Sequence, residues 1–214
     1  MGLDVTLMSV KKILADEKRA REHNAFLKQN GLQMPAGSDQ EYGYTEQVGP
    51  YAVFHHLWRY AAYLEVQGKP PREPGTHPLD DPNYLEAMKR PETKFDQLLR
   101  HPEDYGYYYP IDFPKIIVVT PEAEAKGGFF KKVFGGGGSS DPVKPVSFGS
   151  AVQLERELLE INKFLNVPVR DESPSATYED GIHGDEWGDE KWSWCVLFFM
   201  CKKSIEHGQI MVYE

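Results

Sequence analysis

Two adjacent histidines, His55 and His56, stand four residues before Arg59 and Tyr60 respectively. An imidazole titrates near neutral pH, so either ring could serve as a general base. On a helix, neighbouring residues point about 100° apart, so the two rings do not share one site. His55 instead shares a face with Arg59, and His56 with Tyr60. No acid in the local pattern orients either ring, and a histidine without an orienting acid is more often structural than catalytic. His55, His56 and Arg59 are the catalytic candidates on those terms.

A second cluster is acidic: Glu179, Asp180, His183, Asp185, Glu186, Asp189 and Glu190. Hard cations take several oxygen ligands, and a histidine could help to hold a transition metal. His183, Asp185, Glu186 and Asp189 are therefore the metal candidates. Their spacing matches neither the EF-hand loop nor the zinc-protease helix. A solvated acidic loop is the competing reading.

Nucleophile signatures are missing. Ser150 in Phe148-Gly149-Ser150-Ala151-Val152 has one flanking glycine where the nucleophile elbow needs two, and it reads better as a helix cap. Cys195 and Cys201 sit among Trp, Val, Leu and Phe, a setting that raises a thiol's pKa and makes it inert. Six residues apart, they fall on opposite sides of a helix or about 20 Å apart on a strand, so no disulfide joins them. The run Gly135 to Gly138 lacks the lysine and spacing of a phosphate loop. No cofactor is predicted.

Aromatic residues are concentrated in polar stretches: Tyr42, Tyr44 and Tyr51, then Tyr105, Tyr107, Tyr108 and Tyr109, then Trp187, Trp192 and Trp194. Tyr and Trp bury large area at low entropic cost and are enriched in interface hot spots. Tyr105, Tyr107, Tyr108, Tyr109, Trp187 and Trp192 are the protein-binding candidates, with core packing as the alternative for any one of them.

The elements that must position these groups follow from periodicity. Residues 3–8 alternate as a strand, and Ser9 caps a charged helix over about 10–29 closed by Asn30-Gly31. A polar loop fills 32–48. Gly49-Pro50 opens a helix that Gly68 closes, with Phe54, Leu57, Trp58, Ala61 and Leu64 on one face. A proline-rich connector spans 68–81. Asp81-Pro82 starts a short helix to Lys89, and Pro91 another to His101.

Residues 105–109 are extended, and Lys115 to Thr120 reads as the strongest strand, a central one. Ser150 begins a capping box and a helix with Leu154, Leu158, Ile161 and Leu165 in register. Trp194 to His207 fits a helix better than a hairpin strand, with Gly208 as its stop and a strand over 209–213. The sum is one α+β domain over residues 1–214, with about five helices on a three- to four-stranded sheet. A flexible glycine-rich insertion is expected at about 122–147.

Charge narrows the function. The 214 residues carry 33 acidic against 24 basic side chains, a formal charge of −9. Phosphate binding relies on Lys and Arg, so nucleic acid is disfavoured as a partner. Another protein suits the field, the more so if it is basic. No run of 18 apolar residues exists to span a membrane, and a cytoplasmic protein is expected. Met1-Gly2-Leu3-Asp4-Val5-Thr6 fits a loose myristoylation template, yet the same residues read better as the first strand.

The start Met1-Gly2-Leu3-Asp4-Val5, the segment Tyr51 to Ala62 with His55 and Arg59, the Gly149-Ser150 helix start with Leu154, Glu157 and Leu158, and the ending Lys203 to Gly208 resemble small uncharacterised bacterial and phage proteins beginning Met-Gly-Leu-Asp. That resemblance implies a bacterial or phage protein and carries over no activity or site. The reading that emerges is a non-catalytic, acidic protein-binding module of immunity-like or accessory type. The alternative is a small-molecule hydrolase using His55 or His56, or a divalent metal near His183. Oligomeric state is left open.

Overall fold

The computed structural model describes residues 2–34, 39–74, 78–101, 106–119, 146–170, 172–179, 182 and 184–213. The glycine-rich stretch expected as an insertion falls almost wholly outside them.

Strand β1 (Gly2–Met8) sends Leu3, Val5 and Leu7 to one face and Met8 to the other, as a two-residue period requires. Ser9 ends it by capping α1 (Val10–Ala15) through Lys12 N–H. The single helix expected over 10–29 is interrupted by Asp16. Its backbone is extended, and its carboxylate accepts Arg19 N–H to start α2 (Glu17–Asn30) afresh. Gly31 closes α2 in the left-handed conformation.

Strand β2 (Thr45–Pro50) lies within and just past the segment expected as loop, and α3 (Tyr51–Gln67) follows at once. A 3-10 turn at Pro78–Asp80 leads to α4 (Pro82–Lys89), capped by Asp81 as anticipated. The helix expected from Pro91 is only α5 (Asp96–Arg100). Then come β3 (Gly106–Tyr109), β4 (Ile117–Val119), β5 (Val146–Ser150) and α6 (Ala151–Leu165). The short α7 (Pro174–Glu179), the long α8 (Gly188–His207) and β6 (Ile210–Tyr213) complete the chain.

Among the described residues, six strands form one mixed sheet in the order β2-β1-β6-β3-β5-β4. Only β3 and β5 run parallel; the other neighbours are antiparallel. Helices α3 to α6 and α8 build the larger core on one face, with Leu57, Leu98, Leu158, Trp194 and Met211 in it. On the other face, Ile13 of α1 and Phe26 of α2 close over Tyr107, Tyr109, Phe148 and Val212. Mixed α and β architecture holds, with more helices and strands than expected.

One strand expectation needs correction, and two strands lie where none is expected. The apolar run at Lys115 to Thr120 reads as central, yet among the described residues β4 is an edge strand, with Val118 58% exposed. The central places go to β6, β3 and β5, which are covered on both faces. β2 and β5 are too short or too polar to announce themselves and exist by pairing, β2 against β1 and β5 between β3 and β4.

The terminal helix is borne out. Trp194, Cys195, Leu197, Met200 and Cys201 of α8 are buried against α3, α6 and the sheet, and both cysteines are free. Burial pushes the Cys195 thiol up to about 12.

Candidate functional site

The sequence candidates on α3 and those around the start of α8 meet in space. These two helices pack on each other, and His56 Nδ1 lies 3.4 Å from the Asp189 carboxylate. Asp189 is thus the acid that no local pattern could supply for His56. Its side chain is 56% exposed, so the pair sits in water-like dielectric and is weak. His55 lies against the Trp58 ring, 4.9 Å between centroids.

Arg59 belongs to the structure rather than to a catalytic pocket. Its Nε donates to Asp81 Oδ2 and its Nη1 to the Glu73 carbonyl, each at 2.9 Å, in a buried setting. Burial alone would raise the Asp81 carboxyl. The bonds from Arg59 and Asn83 outweigh it and hold that acid below the usual carboxylate range.

Around the start of α8 the acids each have a separate task. Asp185 accepts Trp187 N–H at 2.8 Å and Lys191 Nζ at 2.7 Å, and the Lys191 bond keeps its pKa low. Glu186 takes the Trp187 indole N–H at 3.1 Å. Asp185 and Glu186 thus both bond Trp187, one at its backbone and one at its indole, while Asp189 faces His56. Among the described residues no three His, Cys, Asp or Glu side chains are grouped to hold a metal. His183 lies outside the described residues.

Trp187 and Trp192 are half-buried beside these acids. The Trp192 indole donates to the Val48 carbonyl at 2.8 Å and Ser193 Oγ to the Val53 carbonyl at 3.0 Å, tying α8 to β2 and α3. Between these elements is a cavity of about 350 Å³ lined by Val48, Val53, Ser175, Glu179, Asp189 and Trp192. An apolar floor with two carboxylates beside it suits a cationic side chain better than a neutral one.

The tyrosine candidates are a correction. Tyr107, Tyr108 and Tyr109 are 8%, 1% and 0% exposed, because β3 is an inner strand with helices on both faces. They are core residues and offer no docking surface. Tyr105 lies outside the described residues.

Glu190, one residue beyond Asp189, was grouped by sequence with the solvated acids but is only 1% exposed. Neither carboxyl oxygen meets a side-chain donor. Burial, helped by Asp189 and Asp185, pushes it up to about 7 against the pull of its own backbone N–H and Arg59. The unfolded chain ionises this group near its ordinary 4.5. The stability it confers is therefore complete below that pH and is lost as pH rises through about 7. Glu190→Gln is expected to match the parent at pH 4 and to exceed it at pH 8 by on the order of 2–3 kcal/mol, read from urea unfolding. Equal stabilities at pH 8 would show that the buried carboxyl is not the cause.

The family model described as "Putative DNA-mimic protein" matches residues 1–213. The chain belongs to this DNA-mimic family. No curated protein and no solved structure matches it. Membership agrees with an acidic, non-catalytic binding role and lends nothing to the hydrolase alternative. It also corrects the partner expectation, which disfavoured nucleic acid and named another protein, the more so a basic one. In a DNA-mimic family nucleic acid is the object imitated. Among the described residues no helix is long and apolar enough to cross a membrane.

Proposed function

We propose that this protein acts as a DNA mimic, presenting carboxylates where a duplex presents phosphates and so occupying the DNA-binding surface of another protein. The family match over residues 1–213 is the observation that carries this reading. The formal charge of −9 supports it, because such a field attracts the Lys- and Arg-rich surfaces that bind phosphates. The exposed acids Glu179, Glu186 and Asp189, with Trp187 and Trp192 beside them, are the surface proposed to make the contact. A partner of this kind works where DNA is, which goes with a cytoplasmic protein. The resemblance to bacterial and phage chains points to a bacterial cell as the setting.

The test is displacement. Extract of the cells that make the protein is loaded on immobilised duplex DNA, and the column is washed with purified protein at low and moderate salt. A defined DNA-binding protein should be released, and less of it by the Glu179→Gln/Glu186→Gln/Asp189→Asn variant. Affinity for that partner should fall steeply with salt, as phosphate contacts do. A wash that releases nothing, on a column from which heparin does release proteins, would overturn the reading.

A further inference from the structure

On a chain so rich in acids, one cavity is lined by cations. It measures about 420 Å³ and lies where α3 ends and the following connector turns back toward α4. Arg59, Tyr63, Gln67, Lys69, Arg72 and Asn83 line it, with Glu73 as its one acid among the described residues. Gly68, left-handed at the C-cap of α3, turns the chain so that Lys69 and Arg72 follow beside the helix end.

Three features point to a ligand. Lys69 and Arg72 have no ion-pair partner among the described residues, although acids outnumber bases in the chain. Arg59 is more than nine-tenths buried, and its bonds to Asp81 and Glu73 use Nε and Nη1. Nη2 is left as the guanidinium nitrogen with no protein partner among the described residues, on a residue that lines the cavity. The wall is also pre-arranged: Gln67 Nε2 donates to Asn83 Oδ1 at 2.9 Å, and the Arg59 guanidinium lies over the Tyr63 ring at 4.9 Å. A guanidinium fixed by a buried carboxylate offers its remaining donors without further ordering, which is the arrangement that favours oxyanions.

We propose that this cavity binds a small oxyanion of the phosphate type, with Arg59, Lys69 and Arg72 as its ligands. Two cations against the Glu73 carboxylate, added to the free edge of Arg59, leave the cavity locally positive inside a negative field. A compact anion would be held there by direct hydrogen bonds, since the long-range field of the chain opposes its approach. This proposal is independent of the DNA-mimic reading, because it concerns a different part of the surface and a ligand of opposite sign.

The experiment is calorimetric titration of the full-length protein with inorganic phosphate, and separately with adenosine 5′-monophosphate, at fixed ionic strength. Saturable one-to-one binding is expected. The Lys69→Gln/Arg72→Gln variant should weaken it by about tenfold or more, as loss of charge-assisted bonds does. Both lysine and arginine are exposed, so the variant's melting temperature without phosphate should stay at the parental value. Tighter binding of the nucleotide than of phosphate would identify a phosphate ester as the ligand, and equal binding the free ion. Absence of saturable heat with both anions, or undiminished affinity in the double variant, would overturn the proposal.

Discussion

Gly106→Ala is expected to remove about 3 kcal/mol or more of stability, enough to leave much of a marginally stable chain unfolded. A methyl at this position would stand 1.7 Å from Cε1 of His101. The ring cannot retreat. It is 1% exposed, stacks on Tyr108 at 4.0 Å between centroids, and has Tyr213 edge-on at 6.0 Å. Gly149 on the neighbouring parallel strand faces the same ring, and a Cβ there would meet Tyr108 at 2.7 Å and His101 at 2.8 Å. Neither glycine has a positive φ, so the requirement is for space and not for a special backbone.

Urea unfolding of Gly106→Ala, of His101→Ala and of the double variant separates the cause. The double variant should be more stable than Gly106→Ala alone, because the methyl then enters the space the ring has left. A double variant as unstable as the sum of the two would mean that the clash is not what harms the fold.

This slot shows why parts of the fold can be read from sequence and others cannot. Helices α3, α4 and α6 carry their own signals: Gly68 at one stop, Asp81-Pro82 at one start, the Ser150 cap with leucines in register. The terminal helix declares itself by its cationic end and Gly208. Strands depend on partners far away in the chain. Thr45–Pro50 is a strand because β1 is beside it, and Ile117–Val119 is an edge because nothing among the described residues pairs beyond it. The tyrosines of β3 look like surface residues only as long as the helices covering both faces are unknown.

The site divides in the same way. The acids, the histidine pair and the tryptophans were visible as residue types, and the structure brings His56, Asp189, Trp187 and Trp192 to one shoulder of the α3–α8 seam. That His56 has an acid, that Arg59 is already paired and that Glu190 is buried are long-range facts with no local trace. The phosphate-type cavity is of this kind too. Lys69 and Arg72 gain meaning only beside an arginine whose other nitrogens are taken.

Glu157→Ala is the second large loss, again about 3 kcal/mol or more. Glu157 sits mid-way along α6 with little exposure, and its two oxygens accept the N–H groups of Gln97 and Leu98 at 2.9 Å each. Those donors lie in the first turn of α5, which has no capping side chain at its own N-cap, so Glu157 supplies the cap from another helix. Burial pushes its pKa up to about 8, with the two N–H bonds pulling the other way. Gln97 is then locked in turn: its Oε1 accepts Ser150 N–H at 2.8 Å, and its carbonyl accepts the Tyr108 hydroxyl at 2.7 Å. Ser150 completes the circuit by capping α6. Removing the carboxylate strands two buried donors and frees the residue that joins α5 to β3 and β5. Above about pH 8, where Glu157 is ionised and both its oxygens accept, Glu157→Gln keeps one acceptor and turns an amide N–H₂ toward the other donor, so it should recover only part of the loss there. Hydrogen exchange at the Gln97 and Leu98 amides should quicken in both variants ahead of global unfolding. An alanine variant within about 1 kcal/mol of the parent would mean that water replaces the carboxylate as acceptor, and the cap would then be dispensable.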